Sequence, residues 1–163
     1  MCLSFLPQII AAKGRIVNVS STGSSLDNYS AQIAARFRDT SLDLDGLDAL
    51  VREYETTIKS GEEGKKKAGF GTASAYCLSK AGINALTAIL GRENKDEGVL
   101  VNCCCPGWVD TDMGGIMGKP PKTGEEGARI PVRLAVGDLG GVTGRYWGND
   151  NISDTGEGKV QEW

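Results

Sequence analysis

The sequence contains no histidine among its 163 residues. A Ser-His-Asp triad and a histidine-ligated metal centre are therefore excluded within this chain, and we predict no metal site. Acid–base chemistry near neutral pH would have to come from another group, a Tyr, Lys or Cys side chain whose pKa is shifted by its surroundings.

Long apolar runs and strong charge of one sign are also missing. The apolar residues 1–12 are too few to span a bilayer and lead straight into a strand pattern. The net charge is only −3, and the longest basic run, Lys65 to Lys67, directly follows acidic residues and glycine, which indicates a solvated loop. We therefore expect one soluble domain over residues 1–163, with neither nucleic acid nor membrane as its partner.

The five cysteines form neither a CxxC pair nor an even disulfide framework. Three of them, Cys103 to Cys105, are consecutive, and in a strand consecutive side chains point to opposite faces. We interpret them as small buried hydrophobic residues of a protein in a reducing compartment, and we expect a cytoplasmic location.

Hydrophobic spacing predicts strands that alternate with helices, which is typical of a parallel sheet. The predicted strands are residues 15–20, 99–105 and 144–148, and the predicted helices are residues 28–38, 43–59, 72–92 and 123–136. Three strands make a thin sheet whose first strand has an unpaired edge. The predicted fold class is therefore α/β, a partial Rossmann-like, doubly wound parallel sheet representing the second half of a larger one.

Residues 24–71 are predicted to form a two-helix insertion between the first strand and the helix that follows it. Asn28 and Asp43 are candidate caps for its two helices. The segment 61–71 is rich in glycine and lysine, and we expect it to be a mobile loop.

Tyr76 and Lys80 are four residues apart near the start of a predicted helix, so they share one face. A fixed ammonium beside a phenol stabilises the phenolate, which prepares the phenol to exchange a proton with a carbonyl or alcohol oxygen. Taken alone, the pair is more simply explained as an exposed i,i+4 contact.

The context of this pair favours the chemical interpretation. Ser21 follows one buried strand and the Pro106-Gly107 pair follows another, and open α/β sheets bind ligands where their strands end at the carboxyl edge. Ser and Pro-Gly commonly end strands, which explains Ser21 and Pro106-Gly107 separately. It does not explain why Ser21, Tyr76 and Pro106-Gly107 converge on one edge.

Three segments together resemble the short-chain dehydrogenase/reductase family. They are Gly14 to Ser21, Tyr76-x-x-x-Lys80, and Asn102 to Thr111 with its Pro-Gly-Trp-Val sequence. The long helical insertion and the ending Val160-Gln161-Glu162-Trp163 are similar to the monomeric, NADPH-dependent carbonyl reductases of that family. The resemblance covers nearly the whole chain and implies the C-terminal half of such an enzyme.

The resemblance implies a role for each matching residue. Ser21 would hydrogen-bond the substrate carbonyl oxygen, Tyr76 would donate the proton, and Lys80 would activate Tyr76 and hold the nicotinamide ribose. Trp108 would form a wall of the substrate pocket, where Ser21 and Tyr76 also lie. The cofactor-binding residues implied by the family are Tyr76, Lys80, Pro106, Gly107, Val109, Asp110 and Thr111.

The implied reaction is reduction of a ketone, aldehyde or quinone by NADPH, with NADH left open. No Gly-rich turn of this sequence matches the phosphate-binding fingerprint. We therefore do not expect turnover from this chain alone, and we expect a monomer for a full-length form. The alternatives are another alcohol dehydrogenase or ketone reductase of the family, acting for example on terpenoid or alkaloid ketones, and a noncatalytic truncated fragment or interaction module.

Overall fold

The computed structural model of the protein describes residues 1–116 and 118–163. Its helices are α1 (Cys2–Ala11), α2 (Ala31–Arg38), α3 (Leu44–Ile58), α4 (Gly61–Lys67), α5 (Ala75–Glu93), α6 (Asp112–Gly115) and α7 (Gly124–Val136). Its strands are β1 (Arg15–Val19), β2 (Leu100–Cys104), β3 (Tyr146–Gly148) and β4 (Lys159–Gln161). Every predicted helix and strand is present, although α2 and α5 begin later than expected.

Local capping explains where several helices begin. Asp43 caps α3 as predicted, with its Oδ1 accepting from the Gly46 N–H at 2.8 Å. Asn28 was expected to cap α2, but it lies in a short 3₁₀ turn, and Ser30 caps the helix instead. The Ser30 hydroxyl accepts from the Ile33 N–H at 3.2 Å, which satisfies one of the free donors of the first turn.

The four strands form one sheet in the order β1-β2-β3-β4. The first three strands are parallel, as predicted, with Val17 opposite Asn102 and Cys103 opposite Tyr146. The fourth strand, β4, was not predicted, and it runs antiparallel to β3. It has only three residues, two of them exposed, which is too short to show the alternation that identifies a strand.

Helices pack on both faces of the sheet, as expected for a doubly wound fold. The Cys103 thiol points toward α5, where it donates to Asn84 Oδ1 at 3.2 Å, while Cys104 packs against Ile130 of α7. Burial raises the pKa of both thiols from 9.0 to about 12. The prediction that the cysteine run is buried across both faces is therefore confirmed.

The insertion contains three helices rather than the two predicted, because α4 forms where a mobile loop was expected. Acidic residues occupy the first turn of α4 and the lysine run occupies its last turn, which complements the helix dipole at both ends. Lys65 is only 5% exposed and pairs with Glu62 at 2.9 Å, so the lysine run is not entirely solvated. This charge arrangement outweighs the low helix propensity of the two glycines.

An aromatic core joins the insertion to α5. Tyr29 contacts Phe37 and Phe70 edge to face, and Phe70 contacts Tyr54 in the same way. These rings pack in one cluster with Leu78 of α5. The insertion is thus fixed to the helix that carries Tyr76 and Lys80.

The first helix also packs on the sheet. Ile9 and Ile10 of α1 contact a cluster that includes Leu90 of α5 and Val101 of β2. Within residues 1–116 and 118–163, no helix combines the length and the apolar character needed to cross a membrane.

Candidate active site

Ser21 lies immediately beyond the carboxyl end of β1. The strand pairing continues one residue past β1, where the Ser20 N–H donates to the Cys104 carbonyl at 2.7 Å. Ser21 is extended, and its Oγ accepts from the Gly23 N–H at 3.0 Å. The Ser24 hydroxyl donates to the Ser21 carbonyl at 2.6 Å, so the turn holds Ser21 in place from both its side chain and its main chain.

Tyr76 and Lys80 occupy the first two turns of α5. Ser74 caps this helix by accepting from the Cys77 N–H at 3.2 Å. Tyr76 is 49% exposed, and the Lys80 Nζ lies 5.5 Å from the centroid of its ring, within cation–π range. The pair predicted from its i,i+4 spacing therefore does form on one helical face.

Two hydrogen bonds attach this part of α5 to the end of β1. The Lys80 Nζ donates to the Val19 carbonyl at 3.0 Å, and the Ser20 hydroxyl donates to the Lys80 carbonyl at 3.3 Å. Because Val19 and Ser20 directly precede Ser21, these bonds fix the lysine next to the serine turn.

Gly23 lies between the Ser21 hydroxyl and the Tyr76 ring. A Cβ placed on Gly23 would be 3.1 Å from Tyr76 Cε1 and 3.4 Å from Ser21 Oγ. The structure therefore brings Ser21, Tyr76 and Lys80 together at one edge of the sheet. Gly23 was not among the residues predicted from the sequence to belong to the site.

The segment after β2 lies at the same edge. Gly107 has φ +86°, a left-handed conformation that other residues rarely adopt. The Trp108 N–H donates to the Ile152 carbonyl at 2.9 Å, and its indole Nε1–H donates to the Gly114 carbonyl at 2.9 Å. Trp108 is half-buried. The two hydrogen bonds hold both its main chain and its ring.

Three further predicted residues follow Trp108 and have different surroundings. The Val109 side chain is half-buried and packs against Gly127 of α7. Asp110 is exposed, and its N–H donates to the Lys122 carbonyl at 2.8 Å. Thr111 caps α6, with its Oγ1 accepting from the Gly114 N–H at 3.1 Å.

Comparison with known proteins gives concordant matches. The family model described as short chain dehydrogenase matches residues 59–120. Carbonyl reductase (NADPH) 1 of Sus scrofa is 34% identical over 171 residues, covering 100% of this chain and 54% of that protein. Carbonyl reductase (NADPH) 3 of Rattus norvegicus is 41% identical over 143 residues, covering 83% of this chain and 49% of that protein.

A solved structure agrees with these sequence matches. Salutaridine reductase from Papaver somniferum superposes with a TM-score of 0.77 and 31% identity, covering 89% of this chain and 49% of that one. The chain belongs to the short-chain dehydrogenase/reductase family. As a member of that family, it spans about half the length of the curated relatives it matches.

Sequence reasoning missed one element of this short-chain dehydrogenase site, the loop of residues 149–158 between β3 and β4. Its Ile152 carbonyl accepts from Trp108, and a cavity of about 10 Å³ lies between Thr22, Gly107 and Asn149. That volume is close to the space of one water molecule. Asn and Asp, which cluster after β3, are typical turn residues, but nothing in the sequence indicates that this turn would reach back to Trp108.

Proposed function

We propose that this chain carries the carbonyl-reducing site of an NADPH-dependent reductase that converts a ketone, aldehyde or quinone to an alcohol. The observation that carries the proposal is the convergence at Gly23, where a Cβ would lie within 3.4 Å of both the Ser21 hydroxyl and the Tyr76 ring. Lys80 is held at the same strand end by its hydrogen bond to the Val19 carbonyl.

Each of the three side chains has a role suited to its position. Tyr76, as the proton donor, transfers its phenolic proton to the carbonyl oxygen of the substrate. Ser21 donates a hydrogen bond to that same oxygen and so orients the substrate. The Lys80 ammonium stabilises the phenolate that remains on Tyr76 after the proton has left.

The residues present fit the nicotinamide end of the cofactor. An ammonium has three N–H donors, and the Val19 carbonyl accepts one of those on Lys80, which leaves donors for ribose hydroxyls. NADPH, when bound, supplies the hydride that reduces the carbonyl carbon. The preference for NADPH over NADH is proposed from the names of the carbonyl reductase relatives.

The segment after β2 is proposed to border the nicotinamide. Pro106, Gly107 and the main chain of Val109 lie at the same edge as Tyr76, and Asp110 and Thr111 continue along it. Trp108 is proposed as a wall of the substrate pocket, because its indole is fixed by the Gly114 carbonyl.

Several properties of the whole protein are part of the same proposal. We propose a small-molecule carbonyl substrate and a cytoplasmic location. We also propose a monomer, because the insertion packs against α5 through Leu78 and thereby covers much of that helix. Salutaridine reductase, by its name, acts on salutaridine, which favours including salutaridine among the candidate substrates.

Turnover by active-site variants tests the proposal. The 163-residue chain should be assayed beside a fusion that joins it to the complementary half of salutaridine reductase. NADPH oxidation would be measured with a quinone, an aromatic aldehyde and a polycyclic ketone. We expect Tyr76→Phe to lower turnover by about 100-fold or more, because the substrate oxygen loses its proton donor.

Tyr54→Phe is the matched control for this experiment. It removes a buried phenolic hydroxyl of the insertion, which donates to the Ala73 carbonyl just before α5 and is not one of the groups proposed to contact the substrate or the cofactor. Turnover of the control should remain near that of the unaltered protein. Equal turnover by Tyr76→Phe, or no turnover by either the chain or the fusion, would refute the proposal.

A second candidate function is that of a noncatalytic interaction module. The free edge of β1 favours it, since β1 pairs only with β2 among the described strands and Val19 at its end is 51% exposed. An unpaired edge can accept a strand from another chain. A chain that fails to bind NADPH but forms a stable complex through this edge would favour the second candidate.

A further inference from the structure

Lys122 is buried beneath the turn that follows β2. It is 1% exposed, although lysine is among the residues least often fully buried. Its Nζ donates to the Pro106 carbonyl at 2.6 Å. This side chain therefore directs a positive charge at the first residue of the segment that borders the proposed nicotinamide site.

The charge of Lys122 is only partly compensated, by Cys105 and by the carboxylates of Glu126 and Asp154 acting from a distance. Among the described residues no carboxylate lies within 4.0 Å of its Nζ, and desolvation lowers the pKa of the ammonium from its ordinary value of 10.5. Burying a charge without an ion-pair partner costs stability that a neutral side chain would not cost, and the hydrogen bond to the Pro106 carbonyl offsets part of that cost. Such a group calls for an explanation beyond packing.

The same lysine also holds the far end of the segment through its main chain. The Lys122 N–H donates to the Trp108 carbonyl at 3.3 Å, and its carbonyl accepts from the Asp110 N–H at 2.8 Å. Gly107 lies between Pro106 and Trp108, and a Cβ added there would lie 2.9 Å from Lys122 Nζ. One residue thus supports the turn at Pro106, Trp108 and Asp110.

We propose that Lys122 is a positioning residue, whose ammonium fixes the Pro106 carbonyl and thereby sets the path of residues 106–110 beside the nicotinamide. This inference rests on the proposed function, because the path of residues 106–110 affects catalysis only if a cofactor binds beside them. Lys122 itself touches neither substrate nor reacting atom. It acts through the turn.

The rival explanation is that Lys122 stabilises the whole fold rather than the turn of residues 106–110 in particular. In that case replacing it would loosen the sheet and α7 as much as the turn, and the nicotinamide environment would change only with global stability. A localised change in main-chain protection, together with a change in the nicotinamide signal, distinguishes the positioning role from this rival.

The test compares Lys122→Met, Lys122→Arg and the control Lys95→Met in the full 163-residue chain. Met keeps most of the side-chain length without the charge or the donor, whereas Arg keeps both. Lys95 is exposed, so its replacement controls for the loss of one positive charge. Amide hydrogen exchange of residues 105–112 and of β2 would be measured, together with the fluorescence of added NADPH.

We expect Lys122→Met to speed exchange in residues 105–112 by about tenfold while β2 keeps its protection. The variant should also weaken NADPH binding by about tenfold and shift the nicotinamide emission toward that of free NADPH. Lys122→Arg should restore part of both signals, because a cationic donor is again available to Pro106. Lys95→Met should behave like the unaltered protein.

The contrary results separate this inference from the proposed function. Unchanged exchange in residues 105–112, or equal loosening of β2, overturns the positioning role. If the unaltered chain responds to NADPH and Lys122→Met responds equally, the inference alone fails. If neither the unaltered chain nor its fusion to the complementary half of salutaridine reductase gives an NADPH signal, the proposed function fails and the nicotinamide role of Lys122 fails with it.

Discussion

At the scale of single residues, the arrangement of Ser21 and Tyr76 depends on Gly23, which has no Cβ. The Ser21 turn and the Tyr76 ring approach each other there, and a methyl group would have to fit 3.1 Å from Tyr76 Cε1. That separation is shorter than ordinary van der Waals contact, so either the ring or the turn would have to move. A displacement of this size matters for proton transfer, which requires hydrogen-bond distances.

We therefore predict that Gly23→Val lowers turnover by about tenfold or more, with Gly23→Ala intermediate, while the melting temperature changes little. Gly82→Ala is the matched control, because a Cβ at Gly82 would meet no atom within 4 Å. Alanine in the middle of α5 should stabilise the protein by about 0.5–1 kcal/mol. Steady-state kinetics and thermal unfolding of the three variants check this, and full activity of Gly23→Val would contradict it.

At the scale of helices and strands, the elements that could be predicted are those with strong local signals. Thr123 and Glu126 have the spacing of a capping box, and α7 begins there with both of its reciprocal hydrogen bonds. The buried strand before Pro106 was equally clear from its apolar run. These signals depend only on residues close together in the sequence, so no tertiary information was needed to interpret them.

The elements that were missed depend on contacts between distant residues. β4 is identified by its pairing with β3, Trp147 opposite Val160, rather than by its composition. The role of Gly23 depends on the approach of Tyr76 from another element, and that of Lys122 on the Pro106 carbonyl. Sequence patterns report which face of an element is apolar, but they do not report which distant group will lie against it.

The capping box gives a prediction at this scale. The Glu126 carboxylate accepts from the Thr123 N–H at 2.9 Å, and this hydrogen bond is the main reason that the pKa of Glu126 lies below its ordinary value of 4.5. A lowered carboxyl pKa contributes stability that is present above the unfolded pKa and is lost as the pH falls through the folded pKa. The contribution should therefore disappear on the acid side of pH 4.5.

Urea unfolding of the unaltered protein and of Glu126→Gln, between about pH 6 and about pH 3, measures this effect. The difference in unfolding free energy between the two should be constant at the upper end of the range and should shrink toward its lower end. Glu125→Gln is the control, since Glu125 lies in the same turn but is exposed and takes no part in the capping box. A difference for Glu126→Gln that does not vary with pH would contradict the assignment.

At the scale of the whole molecule, three parallel strands bring their carboxyl ends to one edge and the insertion fixes α5 against them. Ser21 comes from the turn after β1, Tyr76 and Lys80 from α5, and residues 106–111 from the segment after β2. Segments far apart in the sequence thus meet where open α/β sheets bind ligands. The loop of residues 149–158 closes the same edge through Ile152.

The central claim is that this edge supports hydride transfer to a carbonyl carbon with Tyr76 as the proton donor. The most direct test uses NADPH carrying deuterium at its reactive nicotinamide carbon, a polycyclic ketone, and the chain fused to the complementary half of salutaridine reductase. Mass spectrometry of the alcohol product should show one deuterium on the former carbonyl carbon, and Tyr76→Phe should give about 100-fold less of that product. An alcohol without deuterium, or the same yield from Tyr76→Phe, would contradict the claim.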